Sequence, residues 1–232
     1  MEAQNPNWLE RQTSLIGNDA TDLLKNSAVL VFGVGGVGSF AAEALARCGI
    51  GKIVLVDFDT VSVSNINRQL IADTSTVGEK KTSVMKSRIQ KINPECNVIE
   101  KDTFVTPENA SDIILSANAD FVVDAIDNVS AKTAIIQVCK ENGIKIISSM
   151  GTGNKLDPSQ FKIADISKTS VCPLAKAVRL ALRKLDIKNV PVLYSEELPV
   201  RTGERVPASI SFVPSCAGLM IAGYIVRTLI GK

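Results

Sequence analysis

The sequence has 232 residues, of which 45% are hydrophobic and 22% charged, so it is long and apolar enough to bury one sizeable core. Its formal net charge is +2, so any contact with nucleic acid must come from a local patch of positive charge. The chain contains no histidine, which excludes most serine and cysteine hydrolase triads and most catalytic zinc sites.

The predicted elements begin with two short helices at residues 8–17 and 19–26, the second capped by Asn18 or Asp19. From residue 27 to 150, short apolar runs alternate with segments of helical period. The predicted strands cover 28–32, 53–56, 97–101, 121–124 and 145–148, and the helices between them cover 37–48, 79–92, 107–116 and 130–141. This alternation predicts a doubly wound, Rossmann-like α/β fold with a mainly parallel sheet.

Residues 151–232 form a less regular extension, and we expect one domain over 1–232 with its nucleotide-binding core at about 27–150. In the extension, strands at 161–166 and 192–195 flank a helix at 173–185, and an apolar helix closes the chain. Residues 210–230 are barely long enough to span a membrane and are interrupted by Pro214 and Arg227. A buried helix is therefore favoured over membrane contact.

The five cysteines lie far apart, form no CxxC pair and are odd in number. This pattern favours reduced thiols in a cytoplasmic protein. Residues 1–9 lack the basic start and apolar core of a signal peptide, so secretion is not expected. Cys172 precedes Pro173 at a predicted helix start, which suits redox or thioester chemistry, but a buried apolar thiol is the favoured interpretation.

The first predicted strand runs into a GxGxxG turn made by Gly33, Gly35 and Gly38, with Gly36 inside it. Glycines here let the backbone bring its N–H groups against a phosphate at a helix N-terminus. Asp57 ends the second strand 19 positions after Gly38, where a carboxylate meets the ribose hydroxyls of a nucleotide. Both features suit a nicotinamide dehydrogenase as well as an ATP enzyme.

The segments after Asp57 favour ATP. Residues 57–61, 64–69 and 77–81 are dense in side chains that donate to phosphate, and Arg68 and Lys81 are their cations. A nicotinamide site needs a slot for its ring and few cations, whereas cleavage of a triphosphate needs cations where charge builds up. Each of these residues also has a structural interpretation when it is taken alone. Arg68 and Lys81 could be solvent-exposed surface cations, and Asp127 could cap a helix.

Together these motifs resemble the adenylating enzymes similar to ubiquitin-activating enzyme, the ThiF, MoeB and HesA group. The resemblance covers roughly residues 8–150. It rests on the glycine turn at 33–38, on Asp57-Phe58-Asp59, on Ser64-Asn65 with Arg68-Gln69, on Val77-Gly78 with Lys81, and on the Asp-Ala-Ile-Asp-Asn run at 124–128.

The resemblance implies ATP and Mg²⁺ as cofactors. It implies that Gly36 and Asp57 hold the ribose, that Lys81 lies near the α-phosphate, and that Asp127 binds Mg²⁺. The implied nucleotide-binding set is Gly33, Gly35, Gly36, Gly38, Asp57, Asp59, Asn65, Arg68, Gln69, Lys81 and Asn128, and the implied catalytic group is Arg68, Lys81, Asp127 and Arg11. In relatives, the arginine that Arg11 matches reaches the ATP of the partner subunit, so the resemblance also implies a homodimer.

The chemistry of the residues agrees with this implication. A substrate carboxylate is already ionised at neutral pH, so its in-line attack on the α-phosphorus of ATP requires no general base. The reaction needs charge neutralisation and alignment, which cations and Mg²⁺ supply. A chain without histidine is therefore equipped for adenylation.

Residues 166–175 and Val213-Pro214 resemble the tRNA threonylcarbamoyladenosine dehydratase branch of the group. This implies a threonylcarbamoylated, ANN-decoding tRNA as substrate, whose activated carboxylate closes into a ring with net loss of water, and it leaves a sulfur-relay partner open. After Pro173, Lys176, Arg179 and Arg183 recur at spacings of three and four and predict one cationic stripe that would suit tRNA.

Two alternative functions stay open. The first is an adenylyltransferase that activates the C-terminus of a ubiquitin-like sulfur-carrier protein, which is disfavoured because the two CxxC zinc pairs of several relatives are absent. The second is a nicotinamide-dependent oxidoreductase, for which the glycine turn and Asp57 alone would suffice. A noncatalytic nucleotide sensor carries less weight than either.

Overall fold

The structure is a computed structural model that describes residues 8–204 and 206–232. Most of the stretch considered above for a signal peptide, residues 1–7, lies outside the described residues. The strands are β1 (Ala28–Phe32), β2 (Lys52–Val56), β3 (Asn97–Lys101), β4 (Phe121–Asp124), β5 (Lys145–Ser149), β6 (Phe161–Asp165) and β7 (Pro191–Ser195). They form one sheet in the order β3-β2-β1-β4-β5-β7-β6, and every neighbouring pair is parallel except β6 with β7. The predicted mainly parallel sheet is confirmed.

Helices cover both faces of this sheet. They are α1 (Glu10–Ile16), α2 (Asn18–Lys25), α3 (Gly38–Arg47), α4 (Lys81–Ile92), α5 (Ala110–Ala117), α6 (Val129–Glu141), α7 (Pro173–Lys184) and α8 (Phe212–Leu229). One apolar cluster joins α3, α4 and α8 to one face of the sheet, and a second joins α5, α6 and α7 to the other. The fold is therefore doubly wound, as predicted. All five residues of β1 are buried, as an unbroken apolar strand covered on both faces requires.

Several helix starts differ from the predictions, and the first helix begins at Glu10 and not at residue 8. The cap of α2 is Gly17 and makes no side-chain bond, so the predicted capping by Asn18 or Asp19 is wrong. The helix predicted from residue 79 begins at Lys81, because the residue before it is extended and forms a bridge to Thr60. The helix predicted from residue 107 begins at Ala110, because the Asn109 side chain accepts from the Thr106 N–H and closes a turn there.

The C-terminal helix α8 is long and apolar enough to cross a membrane by length and composition. Seven of its residues are buried, however, and Gly218 lies so close to α3 that a Cβ there would meet the Val37 carbonyl oxygen at 2.4 Å. The predicted buried helix is confirmed for the face of α8 that packs against α3.

The outer pair of strands joins the rest of the sheet along a short seam. Strands β5 and β7 pair only at Ser148 with Val192 and at Ser149 with Leu193. At the opposite ends of these strands a cleft of about 300 Å³ separates them, and Phe121 and Tyr224 line it. The seam therefore lies at the carboxyl edge of β5.

Candidate nucleotide and acid site

The carboxyl ends of β1, β2 and β4 meet at one edge of the sheet, because these three strands are adjacent and parallel. A cavity of about 340 Å³ lies at this edge, which we call the nucleotide cavity. The predicted site residues that line it are Gly33, Gly35, Asp57, Asp59, Asn65, Arg68, Gln69, Lys81, Asp127 and Asn128. Sequence positions up to 95 residues apart are thus brought to one place.

The glycine turn is required by close backbone packing. Gly33 has φ +84°, and a Cβ on it would lie 2.8 Å from the Ala125 carbonyl oxygen. A Cβ on Gly38 would lie 1.8 Å from the Gly33 carbonyl oxygen. Gly36 and Gly38 do not line the nucleotide cavity, and Gly36 packs against Pro214 of α8. These two glycines therefore shape the turn through close packing.

Asp57 holds the turn in place. One carboxylate oxygen accepts the Val34 N–H at 2.7 Å, and the other accepts the Asp59 N–H at 2.9 Å. Each oxygen keeps a second lone pair, so the carboxylate can still accept from a ligand hydroxyl. Its orientation is fixed before any ligand binds.

Two cations stand at the cavity wall. The Lys81 ammonium lies 2.7 Å from Asp59 Oδ2, and the lysine side chain is only 7% exposed. The Arg68 guanidinium donates to the Ser64 carbonyl at 2.7 Å and to Asn67 Oδ1 at 2.9 Å. Both positive charges are thereby restrained in position, which lowers the ordering cost of binding an anion.

The buried amides of this wall differ in their hydrogen bonding. Asn65 Oδ1 accepts the Ser62 N–H at 3.0 Å and closes a short turn. Gln69 is buried, and its Oε1 has no hydrogen-bond partner among the described residues. A buried acceptor without a donor is costly. A ligand or water that donates to Gln69 would remove this cost, which fits a site built for a polar ligand.

The loop after β4 contributes Asp127 and Asn128. Asn128 caps α6, because its Oδ1 accepts the Ala131 N–H at 3.0 Å and the Ser130 hydroxyl at 2.7 Å. Asp127 lines the cavity beside it. In the described part of the chain, no group of three or more His, Cys, Asp or Glu residues is arranged to hold a metal.

Sequence reasoning missed two features of the cavity. Phe58 and Phe104 meet edge to face with ring centroids 4.8 Å apart, and both rings line the cavity while about half exposed. Phe104 follows β3, the neighbour of β2, so the strand order could have placed it near Phe58.

The second missed feature is a buried charge network below the cavity. The Lys132 ammonium lies 2.9 Å from Asp124 Oδ2 and 3.2 Å from the Ser148 hydroxyl, and the side chains of Lys132 and Asp124 are completely buried. The sequence offered one signal of this network, because Lys132 lies among apolar residues of α6. The network joins the ends of β4 and β5 to α6.

A second cavity of about 650 Å³ adjoins the first, and we call it the acid cavity. Arg68, Asp127 and two residues between β4 and α6 line both cavities. The acid cavity extends along residues 149–155 to Cys172 at the start of α7. Cys172 is buried, as predicted, and it lies at the cavity wall.

Two predicted cations lie elsewhere. Arg11 is exposed on α1 and does not line the nucleotide cavity of its own chain. Arg179 is not a free member of a stripe, because its guanidinium bonds the carbonyl and hydroxyl oxygens of Thr169. The exposed cations of α7 are Lys176, Arg183 and Lys184, so the predicted three-residue stripe is wrong at its centre.

A doubly wound sheet with a glycine turn, an oriented carboxylate and two restrained cations at its carboxyl edge is the architecture of a nucleotide-dependent activating enzyme. Over residues 9–232 the chain matches the model of the ThiF family, and it belongs to that family.

Particular relatives narrow this class. In an alignment 238 positions long, the chain is 46% identical to the tRNA threonylcarbamoyladenosine dehydratase of Bacillus subtilis, covering 95% of this chain and 93% of that protein. It is 49% identical over 166 residues to the protein of the same name from Haemophilus influenzae, covering 72% of this chain and 63% of that one. The solved structure of Escherichia coli tRNA N6-threonylcarbamoyladenosine dehydratase in complex with ATP superposes with a TM-score of 0.92 at 38% identity, covering 97% of this chain and 94% of that chain.

Proposed function

We propose that this protein is an ATP-dependent tRNA threonylcarbamoyladenosine dehydratase. The enzyme adenylates the carboxylate of the threonylcarbamoyl group and then closes that group into a ring. The observation that carries the proposal is the pair of adjoining cavities, one lined by Lys81, Arg68 and the glycine turn, the other large enough for an acid. The near full-length likeness to the Bacillus subtilis enzyme supports the same substrate.

ATP occupies the nucleotide cavity in this proposal. The glycine turn and the N-terminus of α3 receive phosphate, as backbone N–H groups do at a helix start. Asp57 accepts from the ribose hydroxyls with its free lone pairs, and Gln69 Oε1 gains the donor that it lacks. Phe58 and Phe104 provide an apolar surface for the adenine ring.

The chemistry of adenylation needs positive charge more than it needs a base. The carboxylate oxygen attacks the α-phosphorus, an O–P bond forms, and the bond to the β-phosphate oxygen breaks as pyrophosphate leaves. Arg68 and Lys81 offset the negative charge that builds up, and their existing bonds hold them in place. A chain without histidine needs no further acid or base for this step.

Asp127 is the residue that would hold Mg²⁺. Mg²⁺ is commonly bound by one or two carboxylates together with substrate phosphates, so a site with few protein ligands fits it. Bound there, Mg²⁺ would neutralise phosphate charge. Arg68 and Asp127 also line the acid cavity, so both sit where the acid and the phosphate must meet.

Four further properties belong to this proposal. The protein is a homodimer in which Arg11 serves the partner's nucleotide cavity, since Arg11 is exposed and does not line the cavity of its own chain. It is a single cytoplasmic domain over 1–232. The exposed cations of α7 contact tRNA phosphates. The proposal leaves a sulfur-relay partner open.

Nucleoside mass spectrometry tests the proposal. The full-length protein is incubated with ATP, Mg²⁺ and tRNA that carries threonylcarbamoyladenosine, and the tRNA is then digested under mild conditions that preserve the ring. We expect an ATP-dependent loss of one water from the modified nucleoside and formation of AMP and pyrophosphate. An unchanged nucleoside would contradict the proposal, and ATP turnover stimulated only by a sulfur-carrier protein would favour the alternative.

A further inference from the structure

Three lysines among the described residues are buried, and they differ in their partners. Lys81 pairs with Asp59 at 2.7 Å and Lys132 with Asp124 at 2.9 Å. Lys155 is 5% exposed and has no carboxylate within 4.0 Å in the part of the chain that the structure describes. A buried ammonium without a counter-ion is costly, so Lys155 calls for an explanation.

The surroundings of Lys155 point to a ligand. Lys155 lines the acid cavity together with Arg68 and Asp127, and it also borders a smaller cavity of about 150 Å³. Burial lowers the pKa of Lys155, while neighbouring Cys172 and Glu197 oppose this in part. An anion that enters the acid cavity would restore the favoured charge on this lysine.

The position of Lys155 is fixed before a ligand binds. Its ammonium donates to the Glu197 carbonyl at 2.6 Å, which leaves two N–H donors for a ligand. The Glu197 carboxylate accepts the backbone N–H groups of Leu156 at 2.9 Å and Asp157 at 3.0 Å. This clamp holds the segment that carries Lys155, so little entropy is lost when an anion binds.

We propose that Lys155 is the counter-ion for the carboxylate of the acid substrate and holds that group in the acid cavity. The inference rests on the proposed function and deepens it, because it assigns recognition of the threonylcarbamoyl acid to one residue. Arg68 and Lys81 act on the phosphates, whereas Lys155 acts on the acid. A tRNA without the threonylcarbamoyl group offers Lys155 no carboxylate.

Binding to two tRNAs tests this inference without relying on turnover. The dissociation constant of the protein, saturated with an ATP analogue that cannot be cleaved between the α- and β-phosphates, is measured for one tRNA with and without the threonylcarbamoyl group. We expect the wild-type protein to prefer the modified tRNA by about ten- to hundredfold, the worth of a charged hydrogen bond. Lys155→Met should bind both tRNAs equally, with the affinity that the wild type shows for the unmodified one.

Lys162→Met is the matched control. It removes an exposed lysine that pairs with Glu196 and lines neither cavity, so it should retain the preference. Unchanged affinity for the ATP analogue reports that each variant is folded. A preference that survives in Lys155→Met, or that Lys162→Met loses equally, would overturn the inference.

The wild-type result separates the two proposals. If the wild type removes water from the modified nucleoside but binds both tRNAs equally, the assignment of Lys155 fails and the proposed function stands. If it shows neither the reaction nor the preference, both fail.

Discussion

The Lys132 ammonium and the Asp124 carboxylate lie 2.9 Å apart with both side chains completely buried. Removing one partner leaves the other charge unpaired in the core. We expect Lys132→Met to lower the free energy of unfolding by about 3–5 kcal/mol. Denaturant titration followed by circular dichroism measures the change.

A double-mutant cycle isolates this pair. Adding Asp124→Asn to Lys132→Met removes the stranded charge, so the double variant should lose less than the sum of the two single losses. Lys140→Met, an exposed substitution on the same helix, should change stability little. Strict additivity of the two buried substitutions would show that the pair is not coupled.

Arg68 and Lys81 should matter for turnover and not for folding. On the proposed function, Arg68→Ala and Lys81→Ala should each lower pyrophosphate release by about 100-fold or more, since each removes charge stabilisation from the transition state. Lys80→Ala removes an adjacent lysine that pairs with Asp102 outside the cavity, and it should retain near-wild-type turnover. Near-wild-type pyrophosphate release in both cavity variants would refute the assignment.

Two glycines of α8 should respond oppositely to alanine. Gly218→Ala would bring a Cβ within 2.4 Å of the Val37 carbonyl oxygen and 2.9 Å of Phe40 Cβ, so it should destabilise the fold. At Gly223 the nearest atom is the end of the Arg227 side chain at 3.8 Å, so Gly223→Ala should stabilise the helix by about 0.5–1 kcal/mol. Melting temperatures compare the two, and equal shifts would mean that α8 does not pack closely on α3.

Glu43 should contribute to acid sensitivity. Burial alone would raise the pKa of Glu43, but hydrogen bonds from Arg88 and Arg47 outweigh it and hold the pKa below its ordinary value of 4.5. A carboxyl with a depressed folded-state pKa adds stability above that ordinary value, and the contribution is lost as the pH falls through the folded-state pKa. Glu43→Gln should therefore lose less stability than the wild type on acidification below about pH 5.

Unfolding midpoints of Glu43→Gln and the wild type, measured at several acidic pH values, test this prediction. Arg88→Met, which removes a donor to Glu43, should likewise reduce the loss of stability on acidification. Lys91→Met, an exposed change on the same helix, should not. If the unfolding midpoints of Glu43→Gln and the wild type fell equally with acidic pH, the role of this carboxyl would be contradicted.

The exposed cations of α7 should set the salt dependence of tRNA binding. On the proposed function, Lys176→Ala with Arg183→Ala should weaken binding and reduce the log–log salt slope by about 2, one for each lost phosphate contact. Lys86→Ala with Lys91→Ala, on α4 across the sheet, is the control and should leave the slope unchanged. Unchanged affinity and slope in the α7 variant would exclude this helix from the tRNA surface.

The sequence allowed much of the fold to be predicted, because buried parallel strands are unbroken apolar runs and their alternation with helices is typical of a doubly wound sheet. Strand β1 was predicted to the residue. Helix starts were less accurate, since α5 and α2 begin where local turns end and not where propensity changes.

Charges in the interior were harder to predict than charges at the surface. Lys155 looks like an ordinary lysine in the sequence, and only tertiary packing buries it, whereas the apolar neighbours of Lys132 on α6 were a weak signal of burial. Arg179 fitted a helical stripe, but its guanidinium bonds a loop ten residues earlier, a contact without any periodic signal. By contrast, the predicted residues around Asp57 converge on one cavity, because strand ends in a parallel sheet share an edge.

Only two residue pairs join β5 to β7, so the outer ribbon of β6 and β7 is weakly attached to the central sheet. Few backbone bonds would have to be remade if another ribbon replaced it, and the strands that carry the glycine turn would keep their own pairings. Such a joint lets the ribbon shift or be exchanged without disturbing the edge of the sheet where the nucleotide cavity lies.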